Sequence, residues 1–284
     1  MKKSSFKGAL AASAVMTLCF AGLPLTAQTE SLEGNPFAVE SDLPLQYPPF
    51  DRVQSIHYLP AFRAGMAQQL AEAEAIANQT AAPTFDNTIL AMEVSGQLLN
   101  RVSSVFFALS SAHTNDELQA IQQQVAPELA AHDDAIVLNP ALFARVQALY
   151  AARESLGLEA EGVRLIEQYH TDFIRAGAAL DSAEQTRLKE INGELAMLQT
   201  QFSQNVLNEV NAMALVVDSR EELTGLDSAL IDAAGAEAQS RDLPGKFVIP
   251  LLNTSGQPAL SSLQNRGVRE RLFEASVSRG TRGG

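Results

Sequence analysis

Between Leu59 and Met213 apolar residues recur at every third or fourth position and strand-like alternation is nearly absent, so the pattern predicts a mainly α body. Phe62, Met66, Leu70 and Ala73 line one face of a first helix, with Pro60 suited to its first turn. Asp86 or Asn87 fits as the cap of a second helix, through Ile89, Leu90, Leu98, Leu99, Val102, Val105 and Phe106. Thr114-Asn115-Asp116-Glu117 reads as a capping box in which the Thr hydroxyl accepts from the third helical N–H, and Pro127 should kink or divide the helix that follows. Asn139-Pro140 opens a helix through Leu142, Phe143, Val146, Leu149 and Tyr150, with Gly157 as its left-handed stop. Leu165, Ile166, Tyr169 and Phe173 form the next stripe.

The longest pattern opens at Ser182-Ala183-Glu184-Gln185, again a capping box, and spaces Leu188, Ile191, Leu195, Leu198 and Phe202 alternately three and four apart. Continued to Val210 it predicts a helix of roughly 40 Å. An antiparallel neighbour in the same bundle is the expected cover for this seam, in preference to an intermolecular coiled coil, because the connections are short. Upstream, Glu30 to Phe50 is interrupted by Pro36, Pro44, Pro48 and Pro49 and reads as an extended lead-in. Beyond Ala214, Glu221 to Leu226 ends one element and starts another, and Lys246-Phe247-Val248-Ile249-Pro250-Leu251 is the one β-type run, its Pro pointing to an edge strand or extended arm. Leu260, Leu263, Val268, Leu272 and Phe273 form a last helical pattern, rich in Arg. The organisation is thus 1–27, 28–50 as lead-in, 51–213 as helical bundle, and 214–284 as a region of different character.

Residues 1–27 read as an export signal. Lys2, Lys3 and Lys7 form a basic start, Ala9 to Leu23 is uncharged and mostly apolar, and Leu25-Thr26-Ala27 offers a small-residue cleavage site. The apolar run falls short of the ~20 residues a membrane span needs, and Leu18 stands before Cys19 where a lipoprotein would have a small residue. A periplasmic location without stable membrane association is therefore expected. Cleavage after Ala27 removes the single Cys, so neither a disulfide nor cysteine catalysis is available to the mature segment. The full chain of 284 residues carries 33 acidic and 20 basic side chains, a net charge of -13, and loss of Lys2, Lys3 and Lys7 leaves -16. A surface of that sign does not suit nucleic acid.

Chemistry is sparse. The four histidines, His57, His113, His132 and His170, include no pair four apart and no His-Glu-x-x-His, so no helix offers two imidazoles to one zinc ion. His132-Asp133-Asp134 is the one local cluster of ligand types, and it reads as a solvated helix end because adjacent helical residues point in different directions. Glu72/Glu74 and Glu221/Glu222 read likewise as solvated faces. Tyr150, Tyr169 and Phe173 are expected in the core. Neither a Gly-x-Ser-x-Gly elbow nor a phosphate-binding glycine motif occurs. The residues by themselves supply no catalytic, cofactor-binding or metal site, and alone they are compatible with a non-catalytic helical scaffold or peptide-binding module.

An ordered set of stretches points further. Leu45-Gln46-Tyr47-Pro48-Pro49-Phe50-Asp51, His57-Tyr58-Leu59-Pro60-Ala61-Phe62, Pro83 to Ile89 with Glu93 and Ser95-Gly96, Ala126-Pro127-Glu128-Leu129, Phe173 to Ala178, Glu222 to Leu226 and Asn265 to Ala275 together resemble the thimet-oligopeptidase-type zinc metallopeptidases. The resemblance implies the N-terminal helical lobe of a two-lobed peptidase with a channel between the lobes. It implies zinc held by a His-Glu-x-x-His helix and a downstream Glu C-terminal to the matched region, and short peptides as substrates. Two activities are open within the family: release of C-terminal dipeptides, which export favours, and endopeptidase cleavage. On this reading the segment is an N-terminal fragment, Ser278 to Gly284 is an internal loop, 214–284 leads into a catalytic lobe, and the present residues form a channel wall without catalysing alone. The whole protein is expected to be a monomer, and apolar stripes that pack on the other lobe would be exposed in the segment.

Overall fold

The computed structural model describes residues 32–252 and 256–279. The stretch read as an export signal, and the last five residues of the presumed internal loop, lie outside them. Ten α-helices occur among the described residues: α1 (Ser55–Ala77), α2 (Ala91–Glu93), α3 (Gln97–Ala112), α4 (Asp116–Val137), α5 (Pro140–Ala152), α6 (Ala160–Arg175), α7 (Ser182–Ala212), α8 (Ser228–Ser240), α9 (Ala259–Ser262) and α10 (Arg266–Val277). Two short strands, β1 (Leu215–Val217) and β2 (Phe247–Ile249), pair antiparallel with Val216 opposite Val248. The fold is mainly α. The expected single β-type segment has a partner that the sequence reading missed. Three residues of Leu-Val-Val directly after a long helix are too few to show a period of two, and β2 stops at Ile249 because Pro250 has no N–H to donate.

Helix ends follow side-chain chemistry, with several starts displaced from expectation. Asn139 caps α5 as anticipated, its Oδ1 accepting from the N–H groups of Ala141 and Leu142, each at 3.0 Å. Elsewhere the cap is displaced by one to three residues: Thr84 rather than Asp86 or Asn87, Asn115 rather than Thr114, and Asp181 rather than Ser182. Asn115 and Asp181 each carry a carbonyl-type oxygen suited to that geometry, and Asp181 with Glu184 closes a capping box. Pro60 lies inside α1, which starts at Ser55 where His57 Nδ1 accepts from the Gln54 N–H at 3.0 Å. Pro127 likewise sits within an undivided α4. Each proline forfeits one backbone bond, and the packing of a 22- or 23-residue helix outweighs that loss.

The predicted second helix is interrupted. A π-helical turn (Phe85–Leu90) leads into α2, and the chain then turns at Gly96, whose φ of 72° is left-handed, before α3 begins. A Cβ on Gly96 would lie 2.4 Å from Gln69 Nε2 of α1. Glycine here therefore meets both a backbone and a space requirement.

Apolar side chains form three clusters. The first joins α1, α3 and α4 through Tyr58, Phe62, Leu99, Val102, Phe106, Leu118 and Val125, and includes Phe37 of the lead-in. Arg101 Nη1 donates to the Phe37 carbonyl at 2.6 Å and Asn35 Nδ2 to the His57 carbonyl at 2.9 Å, strapping the lead-in to the bundle. The second joins the end of α1 to α5, α6 and the π turn through Ile76, Ile89, Leu142, Val146, Leu149, Ile166 and Phe173. At its edge Arg145 is buried among neutral acceptors, its guanidinium donating to Asn87 Oδ1 (2.7 Å), the Ala81 carbonyl (3.0 Å) and Thr88 Oγ1 (3.2 Å). The third gathers β1, β2, α8 and α10 around Val217, Leu223, Ile231, Leu251, Leu263 and Leu272. α8 itself was not anticipated, since its Ala-rich sequence carries too few large apolar residues to set a stripe.

The tight crossing of α1 and α3 at Gly65 predicts a measurable response. A Cβ on Gly65 of α1 would lie 2.8 Å from the Leu99 N and Cα of α3. Gly65→Ala gains about 1 kcal/mol of helix propensity but forces the two backbones apart, at about 1–3 kcal/mol for overpacking. We expect the unfolding free energy measured in urea to fall by up to about 2 kcal/mol; a rise would show that the crossing relaxes freely.

Candidate functional site

The polar groups with the strongest claim on function lie on α4. His132 and Asp134, expected at a solvated helix end, are both buried. Two residues apart, on opposite sides of one turn, they project toward different helices. His132 Nε2 stands 2.8 Å from Gln69 Oε1 of α1, which places the imidazole proton on Nε2, and Asp134 Oδ1 accepts from Asn192 Nδ2 of α7 at 2.7 Å. Two turns nearer the start of α4, Gln123 Nε2 donates to Gln204 Oε1 of α7, while Gln204 Nε2 donates to the Gln119 carbonyl at 3.0 Å. A seam of hydrogen-bonded polar groups thus holds α7 against α4. The spacing argument was right that the acids and the imidazole diverge, and wrong that divergence implies solvent, because α4 is covered on two sides.

Burial lowers the pKa of His132 below the usual imidazole value. Asp133 is exposed to solvent yet crowded by surrounding protein, and this desolvation, with the charge of Asp134, raises its carboxyl above the usual range. The remaining histidines are also engaged. His57 caps α1, His113 ends α3 with its N–H on the Leu109 carbonyl at 2.7 Å, and the His170 ring stacks on Tyr150 with centroids 3.8 Å apart. The Arg153 guanidinium lies 4.3 Å from the centroid of the same Tyr150 ring.

Phe173 is fully in the core, whereas Tyr150 and Tyr169 are half-buried at its edge. The Tyr169 hydroxyl donates to Glu93 at 2.6 Å; burial, then that bond and the Glu93 and Asp172 charges, push its ionisation far upward, so it serves as a donor. Glu72 is no free surface acid either, since its Oε2 accepts the Gly96 N–H at 2.8 Å, and Glu222 accepts from the Asp218 N–H at 3.0 Å.

Among the described residues no three His, Cys, Asp or Glu side chains are grouped so as to hold a metal ion. The zinc that the resemblance implies therefore has no fitting donor set there, and no chemical step is assigned to these residues. No helix among the described residues is by itself long and apolar enough to cross a membrane, though α4 and α5 pass the length and composition test as a pair bent by 53°.

α7 carries the other unusual feature. Its apolar seam does not meet α4. The face turned inward is polar or small from Asn192 through Ala196 and Thr200 to Gln204, each one turn apart; Thr200 and Gln204 are its only fully buried residues, and Leu188, the first residue of the predicted seam, is half-buried and not part of the outward ridge. Ile191, Leu195, Leu198 and Phe202 point outward, with 36, 47, 51 and 64% of their surface exposed. The bundle neighbour expected to cover this seam therefore covers the opposite face, while the expectation of exposed apolar stripes is met here.

Comparison with known proteins places these features in a class. No protein-family model matches the chain. Over the matched region, the chain resembles the thimet oligopeptidase family of peptidases. It is 48% identical to the dipeptidyl carboxypeptidase of Salmonella typhimurium LT2 over 88% of its own length and 37% of that protein's. It is also 48% identical to the dipeptidyl carboxypeptidase of Escherichia coli K12, over 86% and 36%. Oligopeptidase A of Haemophilus influenzae matches at 27% over 84% of the chain and 34% of that enzyme. The chain spans little more than a third of the length of these relatives.

The buried imidazole gives a pH signature. A histidine whose folded pKa lies below its unfolded value, about 6.5, contributes full stability above that pH and loses it as the pH falls toward the folded value. The stability advantage of the wild type over His132→Gln, measured by urea unfolding, should therefore shrink from pH 7 to pH 5. The Asp133 carboxyl is present in both proteins and drops out of the difference to first order. A difference that stays flat or grows would show that the imidazole is not desolvated.

Proposed function

We propose that this chain is part of an exported peptidyl-dipeptidase, a longer zinc peptidase that removes dipeptides from the free C-terminus of short peptides. The observation that carries this reading is the 48% identity to two dipeptidyl carboxypeptidases along nearly nine-tenths of the chain, against 27% or less for the oligopeptidase A relatives. The oligopeptidase relatives still match in the same region, so the distinction between exo- and endopeptidase action is a matter for experiment.

The finer parts of the reading rest on the sequence. The basic and apolar start supports export to the periplasm and cleavage near Ala27. Zinc would be held by residues outside this chain, and the present residues would contribute a helical wall to the peptide-binding channel without catalysing on their own. The net acidic charge argues against nucleic acid as a partner, and the whole protein is read as a soluble monomer after signal removal.

The test uses the protein translated from the complete reading frame, with a short peptide that is either free or amidated at its C-terminus. Dipeptide release from the free peptide alone, abolished by a chelator and restored by zinc, is the expected result. Cleavage inside the amidated peptide would move the assignment to endopeptidase action, and no chelator-sensitive cleavage of either peptide would leave the non-catalytic helical module.

A further inference from the structure

We infer that Asn192-Gly193 in α7 is a conditional deamidation site, held unreactive by the bond from Asn192 to Asp134, whose reaction permanently releases α7 from α4. Of the asparagines in the chain, only Asn192 precedes a glycine. A glycine nitrogen is the least hindered backbone group for attack on the preceding Asn side chain, because no Cβ shields it. Packing gives Gly193 no other role. It lies within a right-handed helix and a Cβ built on it would meet nothing within 4 Å, so neither backbone conformation nor space calls for glycine, which weakens a helix relative to alanine.

The reaction needs no partner besides water. The Gly193 nitrogen bonds to Asn192 Cγ while the Cγ–Nδ2 bond breaks, and ammonia departs carrying the Gly193 amide proton. Water then opens the resulting cyclic imide at either carbonyl, leaving aspartate or isoaspartate at position 192 with no change of oxidation state. Ring closure requires Asn192 to leave the helical ψ, since in a helix the following N–H points along the axis to a carbonyl one turn back. The Asn192 amide is committed as well, its Nδ2 donating to Asp134 Oδ1 at 2.7 Å. The site is thus silent while α7 is docked and reactive when this part of the helix opens locally. Its product cannot close again. A carboxylate at position 192 replaces the donor and faces the buried Asp134 with like charge, and isoaspartate adds a methylene to the main chain and breaks the helical ladder. A reversible opening becomes a one-way release of the seam.

In the protein translated from the complete reading frame, conversion of the peptide containing Asn192 is followed by mass spectrometry in native buffer and in urea. We expect conversion to be slower by about tenfold or more in the native protein than in urea, and about tenfold faster in native Asp134→Ala than in the native wild type. Gly193→Ala, whose new methyl enters open space, should fold and should slow the reaction in urea. Asn192→Asp installs the product, and hydrogen exchange along α7 should be about tenfold faster in it than in the wild type. No conversion in urea would overturn the site. Equal rates in the native protein and in urea, or in Asp134→Ala and the wild type, would overturn its control by docking. Exchange in Asn192→Asp as slow as in the wild type would overturn the release, and that measurement stands even where Asp134→Ala fails to fold.

Discussion

The need to pair buried polar groups fixes how α7 sits on the bundle. A buried amide or carboxylate left without a partner costs more than a typical hydrogen bond contributes, so the polar side of α7 tolerates few positions relative to α4. Asp134 with Asn192 and Gln204 with Gln119 and Gln123 satisfy one another only in the observed register. His132 extends the same constraint to α1, since it requires Gln69, and Gln69 reaches it past a residue that must be glycine at position 96. The polar layer therefore ties three helices together, and the outward direction of the α7 apolar ridge is its by-product.

That arrangement leaves the segment well packed except along one apolar face of α7. Its three apolar clusters close around α1, α3 to α6, and the antiparallel β1–β2 pair with α8 and α10, and none has a fully buried side chain from α7. α7 links the helical bundle to the β1–β2 region and lends Val210, near its C-terminal end, to the third cluster, while Ile191, Leu195, Leu198 and Phe202 pack in none of the three.

Much of the fold was legible in the sequence where one face of a helix is apolar and the other wet. The stripes of α1, α3, α5 and α6 correspond to buried residues because each meets its partner within this chain. Most cap positions were legible to within about one residue, the error arising where two capping-competent residues adjoin, as at Thr114-Asn115 and Asp181-Ser182, whereas Thr84 lies two or three residues before the expected Asp86 or Asn87. α7 failed for a different reason. Periodicity reports which face is apolar but not which face is covered, and here the two differ. His132 and Asp134 failed for the same reason, because no local rule reveals that a charged turn is enclosed by two distant helices. The functional class was carried by short stretches in a fixed order rather than by a constellation of reactive groups.

The central claim is that α7 is held by its polar face through Asp134 and Asn192. A double-mutant cycle on Asp134→Ala and Asn192→Ala, read as urea unfolding free energies at pH 7, measures that bond directly. A coupling energy of about 1.5–3 kcal/mol is the result expected for a buried hydrogen bond to a carboxylate. Additivity within about 0.3 kcal/mol would show that the two helices are held together by something else.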